Sequence, residues 1–268
     1  MSESLTRIRA MLYRYLCLHK RSLPRTFEIV FWPVMELLVW GFVSVYIQSV
    51  SGNTLLTLAA SLINAMIFWD LLYRSQQSVS ISIIEDIWTQ NIVNVLISPL
   101  KIWEWLLATF IYGMTKTLLI TLILGSIAFG LYHFSLIDKL GFYLIPLMAN
   151  LLIFGWALGV LTSSLVIRWG HAAEALIWGV PYLIQPVSAI FYPLSILPKW
   201  LKPIAMALPS TYVFEGMRAI IQENRMRYDY LWMALGLNLI YFIVAGFVFN
   251  FMYLSARNTG RLGRLGMD

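Results

Sequence analysis

The stretch PLSILPKWLKPIAMALPSTYVFEGMR, residues 193–218, decides how this chain folds. It lies between two strongly apolar segments, yet its prolines prevent one uninterrupted membrane-crossing helix. The prolines are Pro193, Pro198, Pro203 and Pro209. Apolar residues between them recur at helical spacing, at Leu197, Trp200, Leu201, Ile204 and Leu208. Because Lys199 and Lys202 occupy another face, the pattern predicts a short amphipathic helix at a water boundary, an ordinary surface loop being the alternative.

The composition is that of an integral membrane protein. Of the 268 residues, 60% are hydrophobic and only 12% are charged, and the mean hydropathy is +0.75. Soluble domains carry about 25% charged residues. The net charge of +6 comes from basic residues beside apolar segments, which indicates orientation in a membrane and not nucleic-acid binding. Cys17 is the single cysteine, so neither an intramolecular disulfide framework nor a thiolate metal site is expected.

Six apolar segments are predicted to cross the membrane as helices. Their ranges are 27–48, 55–73, 103–131, 140–167, 175–191 and 230–254. Basic residues flank them at the N-terminal segment, Arg74, Lys101, Arg168 and the C-terminal tail. Since such residues stay on the inner side, both termini are predicted to be cytoplasmic. A crossing at 193–218 would put the C-terminal arginines outside, so this stretch is predicted to be an outer re-entrant segment.

Residues 4–22 have the pattern of a helix lying on the membrane surface. One face is apolar, with Leu5, Ile8, Leu12, Tyr15 and Leu16, and the opposite side carries Arg7, Arg14 and Arg21. The basic face is expected to meet anionic headgroups on the cytoplasmic side. A soluble amphipathic helix is the alternative.

A second amphipathic element is predicted at residues 75–100, which are too polar to span and too apolar for a free loop. Its polar side carries Glu85, Asp86, Thr89, Gln90 and Asn94, and its other side Ile84, Ile87, Trp88 and Val95. Pro99 ends it. Such an element can lie on lipid or dock into a groove on a partner protein.

Two charged residues lie inside apolar segments, Glu36 in the first span and Lys116 in the third. A charge within the membrane is costly and marks a functional candidate. Both lie at similar depth, so we expect them to pair, either as a structural ion pair or as part of a substrate or proton pathway.

Polar and aromatic side chains also share faces of two predicted spans. These are Trp32, Glu36 and Trp40 in the first, and Trp178, Tyr182 and Gln185 in the fifth. They are candidates for lining a pathway, although a packed helix interface with Trp near the headgroups explains them equally well.

The motifs of an ATPase or hydrolase are missing from the sequence. It has no phosphate-binding Gly-Lys-Ser/Thr loop, no Cys/His metal spacing and no nucleophile elbow. The three histidines are far apart and near span ends, where a solvated imidazole is expected. We therefore expect no bound cofactor or metal and no catalytic residue in this chain.

Two sequence motifs carry a family resemblance. One is Pro193-Leu194-Ser195-Ile196-Leu197-Pro198-x-Trp200 followed by Pro209-x-Thr211-Tyr212-x-x-Glu215-x-x-Arg218, and the other is Ile97-Ser98-Pro99-Leu100. With the order of the predicted elements, they resemble the membrane subunit of type-two ABC exporters, a permease family of polysaccharide, drug and lipid exporters. The Arg-Glu-x-Gly-Thr coupling sequence of many relatives is absent here.

The resemblance implies an all-α, polytopic permease of a single domain, 1–268. Its expected parts are a cytoplasmic interfacial helix at 1–26, five spans with a coupling segment at 75–100 within 27–192, an outer re-entrant hairpin at 193–229, a last span at 230–256 and a cytoplasmic tail at 257–268. The residues expected to couple to the ATPase are Glu85, Asp86, Trp88, Thr89 and Gln90. Those of the re-entrant motif are Pro198, Trp200, Pro209, Tyr212, Glu215 and Arg218, with Glu215 and Arg218 in i, i+3 contact.

The expected partners are two cytoplasmic ABC ATPases, which would bind ATP and Mg, a second permease forming a homodimer, and membrane lipids of a plasma or bacterial inner membrane. The predicted function is export of a drug-like, lipid or glycan substrate. One alternative is a membrane-embedded transferase using a lipid-linked donor, but its candidate acidic and His groups are scattered along the chain. The other is a secondary transporter, whose usual inverted repeat is not visible.

Overall fold

The computed structural model describes residues 3–20, 23–51, 56–223 and 225–259, and the regular elements of this part of the chain are all helices. The helices are α1 (Glu3–Lys20), α2 (Leu23–Ser51), α3 (Leu56–Trp88), α4 (Ile92–Ile97), α5 (Ile102–Tyr132), α6 (Leu136–Leu140), α7 (Leu144–Trp169), α8 (Ala175–Ile184), α9 (Lys202–Met206), α10 (Pro209–Glu223) and α11 (Tyr228–Asn258). Two predicted features, Arg21 and the tail beyond residue 259, lie outside the described residues.

Four of the predicted spans coincide with described helices that are long and apolar enough to cross a membrane. These are Phe27–Val50, Ile102–Tyr132, Gly141–Ala173 and Tyr228–Asn258. The fifth predicted span, 175–191, is wrong in length, because the helix ends at Ile184 and turns follow. Pro186 has no N–H to continue the helical hydrogen bonds, and Ala189 turns the chain with a φ of +52°.

The second predicted span and the start of the coupling segment form one helix. α3 runs without a break from Leu56 to Trp88, so the expected separate interfacial element from residue 75 is wrong. The serines and glutamines between Ser75 and Ser82 are mostly buried in the bundle instead of facing water. The serine hydroxyls bond to neighbouring carbonyls, as Ser75 Oγ does to the Leu72 oxygen at 2.8 Å, which satisfies these hydroxyls inside the protein.

Small residues let α3 approach α5 and α7 closely. A Cβ added at Gly155 of α7 would lie 2.7 Å from the Leu72 carbonyl oxygen, and one at Gly159 would lie 2.7 Å from the Gln76 carbonyl oxygen. Such contacts are typical of helix packing in membranes, where short side chains bring backbones together. α3 is therefore held tightly along much of its length.

Two clusters of buried apolar side chains fill the bundle. One contains Ile8, Ile84 and Trp105 and lies at the end of the bundle that carries α1, hereafter the α1 end. The other includes Phe68 and Phe214 and extends to the opposite end, which carries α9 and α10, hereafter the α10 end. Between α7 and α11, Asn238 Nδ2 donates to Asn150 Oδ1 at 2.9 Å and to the Asn150 carbonyl at 3.0 Å.

The proline-rich stretch folds back at the α10 end as a turn at Leu194–Ile196, the five-residue α9 and then α10. The predicted amphipathic helix is shorter than its apolar pattern, since α9 contains Ile204 but not Leu197, Trp200 or Leu208. Leu197 and Leu208 are buried, whereas Trp200 is 72% exposed. α10 begins at Pro209, a residue suited to the first turn of a helix. Thr211 Oγ1 donates to the Ala205 carbonyl at 2.7 Å and joins α10 to α9.

Candidate functional site

Two ion pairs attach α1 to the helices behind it. Arg7 Nε and Nη2 each lie 2.8 Å from a carboxylate oxygen of Glu104, and Arg14 pairs with Asp86. Both carboxylates are buried. The prediction that the basic face of α1 meets lipid headgroups is therefore wrong for these two arginines, since their charges are satisfied within the protein.

The apolar side of α1 packs into the bundle through Ile8, Met11 and Tyr15, whereas Leu5 and Leu16 are exposed. Tyr15 accepts a hydrogen bond from Trp105 Nε1 at 3.0 Å. The sequence reasoning missed Glu104 and Trp105. The sequence did contain a sign of this pairing. Glu104 is an acidic residue in the first turn of an apolar span, and the predicted surface helix carries arginines at every seventh position that could bind it.

The predicted coupling residues divide into buried and exposed ones. Asp86 is buried against Arg14 and Glu85 is half-buried, whereas Trp88, Thr89 and Gln90 are exposed where α3 ends. Gln90 has a φ of +54°, which turns the chain into α4. The exposed residues of this turn and of α4 form what we call the turn surface: Trp88, Thr89, Gln90, Val93, Asn94 and Ile97.

The turn surface is joined to the connection between α7 and α8. Trp88 Nε1 donates to Glu174 Oε2 at 3.3 Å, and His171 Nδ1 lies 3.0 Å from the same oxygen. Glu174 was not singled out from the sequence, because nothing local in the chain relates it to Trp88. The end of α3 and the α7–α8 connection thus form one continuous region at the α1 end.

The predicted pairing of Glu36 with Lys116 is wrong. The charged groups that act on the Glu36 carboxylate are Asp70 and Arg74 of α3, and Lys116 is not among them. Arg74 Nε lies 3.1 and 3.3 Å from the two Asp70 carboxylate oxygens. Lys116 Nζ lies 5.8 Å from the centre of the Tyr112 ring on its own helix. The assumption of similar depth is also wrong, because the α2 backbone near Glu36 is level with Tyr132, whose hydroxyl donates to the Leu38 carbonyl at 3.3 Å. Lys116 lies sixteen residues before Tyr132 on α5, about 24 Å closer to the α1 end.

Aromatic residues of α2, α3 and α8 lie next to these charged residues in the chain or contact those that do. Trp40 stacks on Phe191 with ring centres 4.3 Å apart, and the ring of Tyr73 lies 5.7 Å from that of Tyr182. We call the group Glu36, Trp40, Asp70, Tyr73, Arg74 and Tyr182 the Glu36 site. Of the other predicted pathway residues, Trp32 lies exposed one helical turn before Glu36, Trp178 packs against the apolar cluster of the α1 end, and Gln185 is half-buried after α8.

The re-entrant motif contains the predicted contact between Glu215 and Arg218, with Arg218 Nη2 2.9 Å from Glu215 Oε1. Arg218 Nη1 also donates to the Ile190 carbonyl at 3.0 Å, and the Leu194 N–H donates to Glu215 Oε1 at 2.7 Å. This Arg218 cluster fixes α10 to the turns after α8. Of the other motif residues, Pro209 is buried, Tyr212 half-buried, and Pro198 and Trp200 exposed.

The apolar helices and their packing define a polytopic helical membrane protein. A family model described as ABC-2 type transporter matches residues 7–222, and the chain belongs to this family. It is thus a permease, the multi-pass membrane component of an ABC-type transporter. A comparison with curated proteins gives no match. Within the described residues, no group of three or more His, Cys, Asp or Glu side chains could hold a metal ion.

Proposed function

We propose that this permease exports a drug-like, lipid or glycan substrate, powered by separate ATPase subunits. The family match over residues 7–222 carries the proposal, because it includes the α1 end, the spans up to α8 and the proline-rich stretch. Two copies of the chain would enclose the path, and two ATPases would bind ATP and Mg on the cytoplasmic side. In this arrangement the α1 end, with both termini, faces the cytoplasm.

The turn surface is the part of the α1 end best suited to bind an ATPase. Val93 and Ile97 are exposed apolar residues on the short helix α4, and Trp88 exposes its ring beside them. Exposed apolar residues grouped within a polar turn are typical of protein interaction sites. Asp86 supports this surface indirectly, since its carboxylate is engaged by Arg14.

Movement at the turn surface would reach the middle of the membrane through α3. The helix is continuous from Trp88 back to Arg74 and Asp70, and close contacts with α7 hold it along this length. ATP binding would shift the population between two arrangements of the permease, and the Glu36 site would be exposed to one side or the other.

Purification of the tagged chain from its native membrane tests the proposal. An ABC ATPase, identified by mass spectrometry, should copurify, and its ATP hydrolysis should depend on the permease. Ile97→Glu should abolish the association, because it places a charge in the apolar part of the turn surface. The matched control is Ile137→Glu, since Ile97 is 77% exposed and Ile137, at the α10 end, is 70% exposed.

Two results would contradict the proposal. One is copurification of no ABC ATPase with the wild-type chain. The other is ATP hydrolysis that never responds to the permease, and transfer of a group from a lipid-linked donor by the purified chain alone would then favour the transferase alternative.

A further inference from the structure

Glu36 is an acidic residue near the middle of an apolar helix. It lies in α2 within the span Phe27–Val50, and it forms no hydrogen bond or ion pair with another described residue. A carboxylate at this depth is costly unless it faces a water-filled space or a charged partner. Its side chain is half-buried, on a side of α2 where Trp32 and Val39 are exposed.

The nearby charges leave one negative charge without compensation. Asp70 is 3% and Arg74 14% exposed in their side chains, and the Arg74 guanidinium contacts both Asp70 carboxylate oxygens. That buried pair neutralises itself. Because Asp70 and Arg74 satisfy each other, neither forms an ion pair with Glu36.

Aromatic rings beside Glu36 and beside its charged neighbour Arg74 come from three elements. Trp32 and Trp40 lie one turn before and one turn after Glu36 on α2, Tyr73 neighbours Arg74 on α3, and Tyr182 of α8 contacts Tyr73. The faces of Trp and Tyr rings attract cations, and desolvation strengthens this attraction. One uncompensated carboxylate among such rings matches a ligand that is both apolar and positively charged.

We propose that the Glu36 site binds a lipophilic organic cation, and that cargo of this class is what the permease transports. Glu36 supplies the opposite charge, and Trp40, Tyr73 and Tyr182 supply ring faces and apolar surface. The Asp70–Arg74 pair keeps Arg74 from neutralising Glu36. This inference rests on the proposed function, and it narrows the cargo from drug-like, lipid or glycan molecules to amphiphilic cations.

Two probes of the same shape and opposite charge test the proposal, tetraphenylphosphonium and tetraphenylborate. Binding of each to the full-length chain in nanodiscs of zwitterionic lipid is measured by equilibrium dialysis, with binding to empty nanodiscs subtracted. Wild-type protein should bind the phosphonium saturably. Glu36→Gln should weaken that binding about tenfold, as expected for loss of one charge contact in a site of low polarity.

The control variants separate the charge of Glu36 from other effects. Glu28→Gln removes an equal charge from an exposed position of the same helix and should leave phosphonium binding unchanged. Glu36→Asp should retain most of the binding, and Trp40→Leu should lose part of it while keeping an apolar side chain. Each variant is compared with wild type by thermal unfolding, so that a change in binding is not mistaken for a change in folding.

The proposal is overturned if Glu36→Gln binds the phosphonium as tightly as wild type does, or if it loses phosphonium and borate binding equally. No ATPase is present in this assay. Failure of the binding test would therefore contradict the cation site alone and not the proposed permease function. Failure of the ATPase copurification would contradict the permease function without affecting the binding measurement.

Discussion

Arg7 and Glu104, 97 positions apart in the chain, form an ion pair in which two guanidinium nitrogens each contact a different carboxylate oxygen at 2.8 Å. The pair joins the first turns of α1 to the first turn of α5. Two parallel hydrogen bonds of this kind fix orientation as well as distance. α1 is therefore attached to the bundle in a defined position.

Breaking this attachment should expose the single cysteine of the chain. Cys17 lies partly buried on α1, so its reaction with a maleimide reports how firmly α1 is held. Arg7→Ala should increase the labelling rate several-fold, because the buried Glu104 carboxylate loses its partner. Lys20→Ala, an exposed change on the same helix, should leave the rate unchanged.

Exchanging the two charges provides the complementary test. Arg7→Glu combined with Glu104→Arg should restore slow labelling of Cys17, at least in part. Equal labelling rates for wild type and Arg7→Ala would show that apolar packing alone holds α1.

Gly155→Ala should destabilise the protein by about 1–3 kcal/mol, as overpacking does in other tightly packed interiors. The added Cβ would lie 2.7 Å from the Leu72 carbonyl oxygen, and a backbone atom cannot move aside as a side-chain end can. Thermal unfolding in detergent measures the effect. Gly246→Ala on α11 is the control, since a Cβ there meets nothing within 4 Å. Equal melting temperatures for the two variants would mean that α3 and α7 have room to separate.

Arg218→Ala should lower the free energy of unfolding by about 3 kcal/mol, because it removes the ion pair with Glu215 and the hydrogen bond to the Ile190 carbonyl in a largely buried place. The exposed pair of Arg227 with Asp229 serves as the comparison. Their side chains are 45% and 56% exposed, so Arg227→Ala should lower the melting temperature much less than Arg218→Ala does. A smaller loss for Arg218→Ala than for Arg227→Ala would contradict a stabilising role of the Arg218 cluster.

Asn238→Ala should loosen the contact between α7 and α11 by about 0.5–2 kcal/mol, the range for hydrogen bonds between membrane helices. The variant removes both bonds to Asn150 and leaves a small void. Asn250→Ala, an exposed amide on α11, provides the control in the same thermal unfolding measurement. An unchanged melting temperature in both variants would show that the amide pair contributes nothing measurable.

Part of this architecture could be predicted from sequence because it depends on local chemistry. The apolar composition gave the membrane class, the prolines gave the break at residues 193–218, and the i, i+3 spacing gave the contact of Glu215 with Arg218. Each of these follows from properties of one segment.

The errors concern the side of a helix that faces another helix. The segment from Ser75 to Ser82 had the polarity of a surface segment, yet it packs against other helices. Periodicity does not distinguish a polar face turned to water from a polar face turned to the backbone of a neighbouring helix. Glu36 and Lys116 were related by counting residues from the start of each span, and this count does not give the relative height of two helices, as the contact of Tyr132 with the Leu38 carbonyl shows. The partners of Arg7 and Arg14 lay far away in sequence and had no local signal.

The unbroken course of α3 has a geometric consequence for how the two ends of the permease communicate. Asp70 and Asp86 are sixteen residues apart, which corresponds to about 24 Å along the axis and about 160° around it. They therefore project to nearly opposite sides of the same helix. If α3 turns about its long axis, the two carboxylates move sideways in opposite directions. A rotation that moves Asp86 toward α1 therefore moves Asp70, at mid-membrane, away from the side of the bundle on which α1 lies.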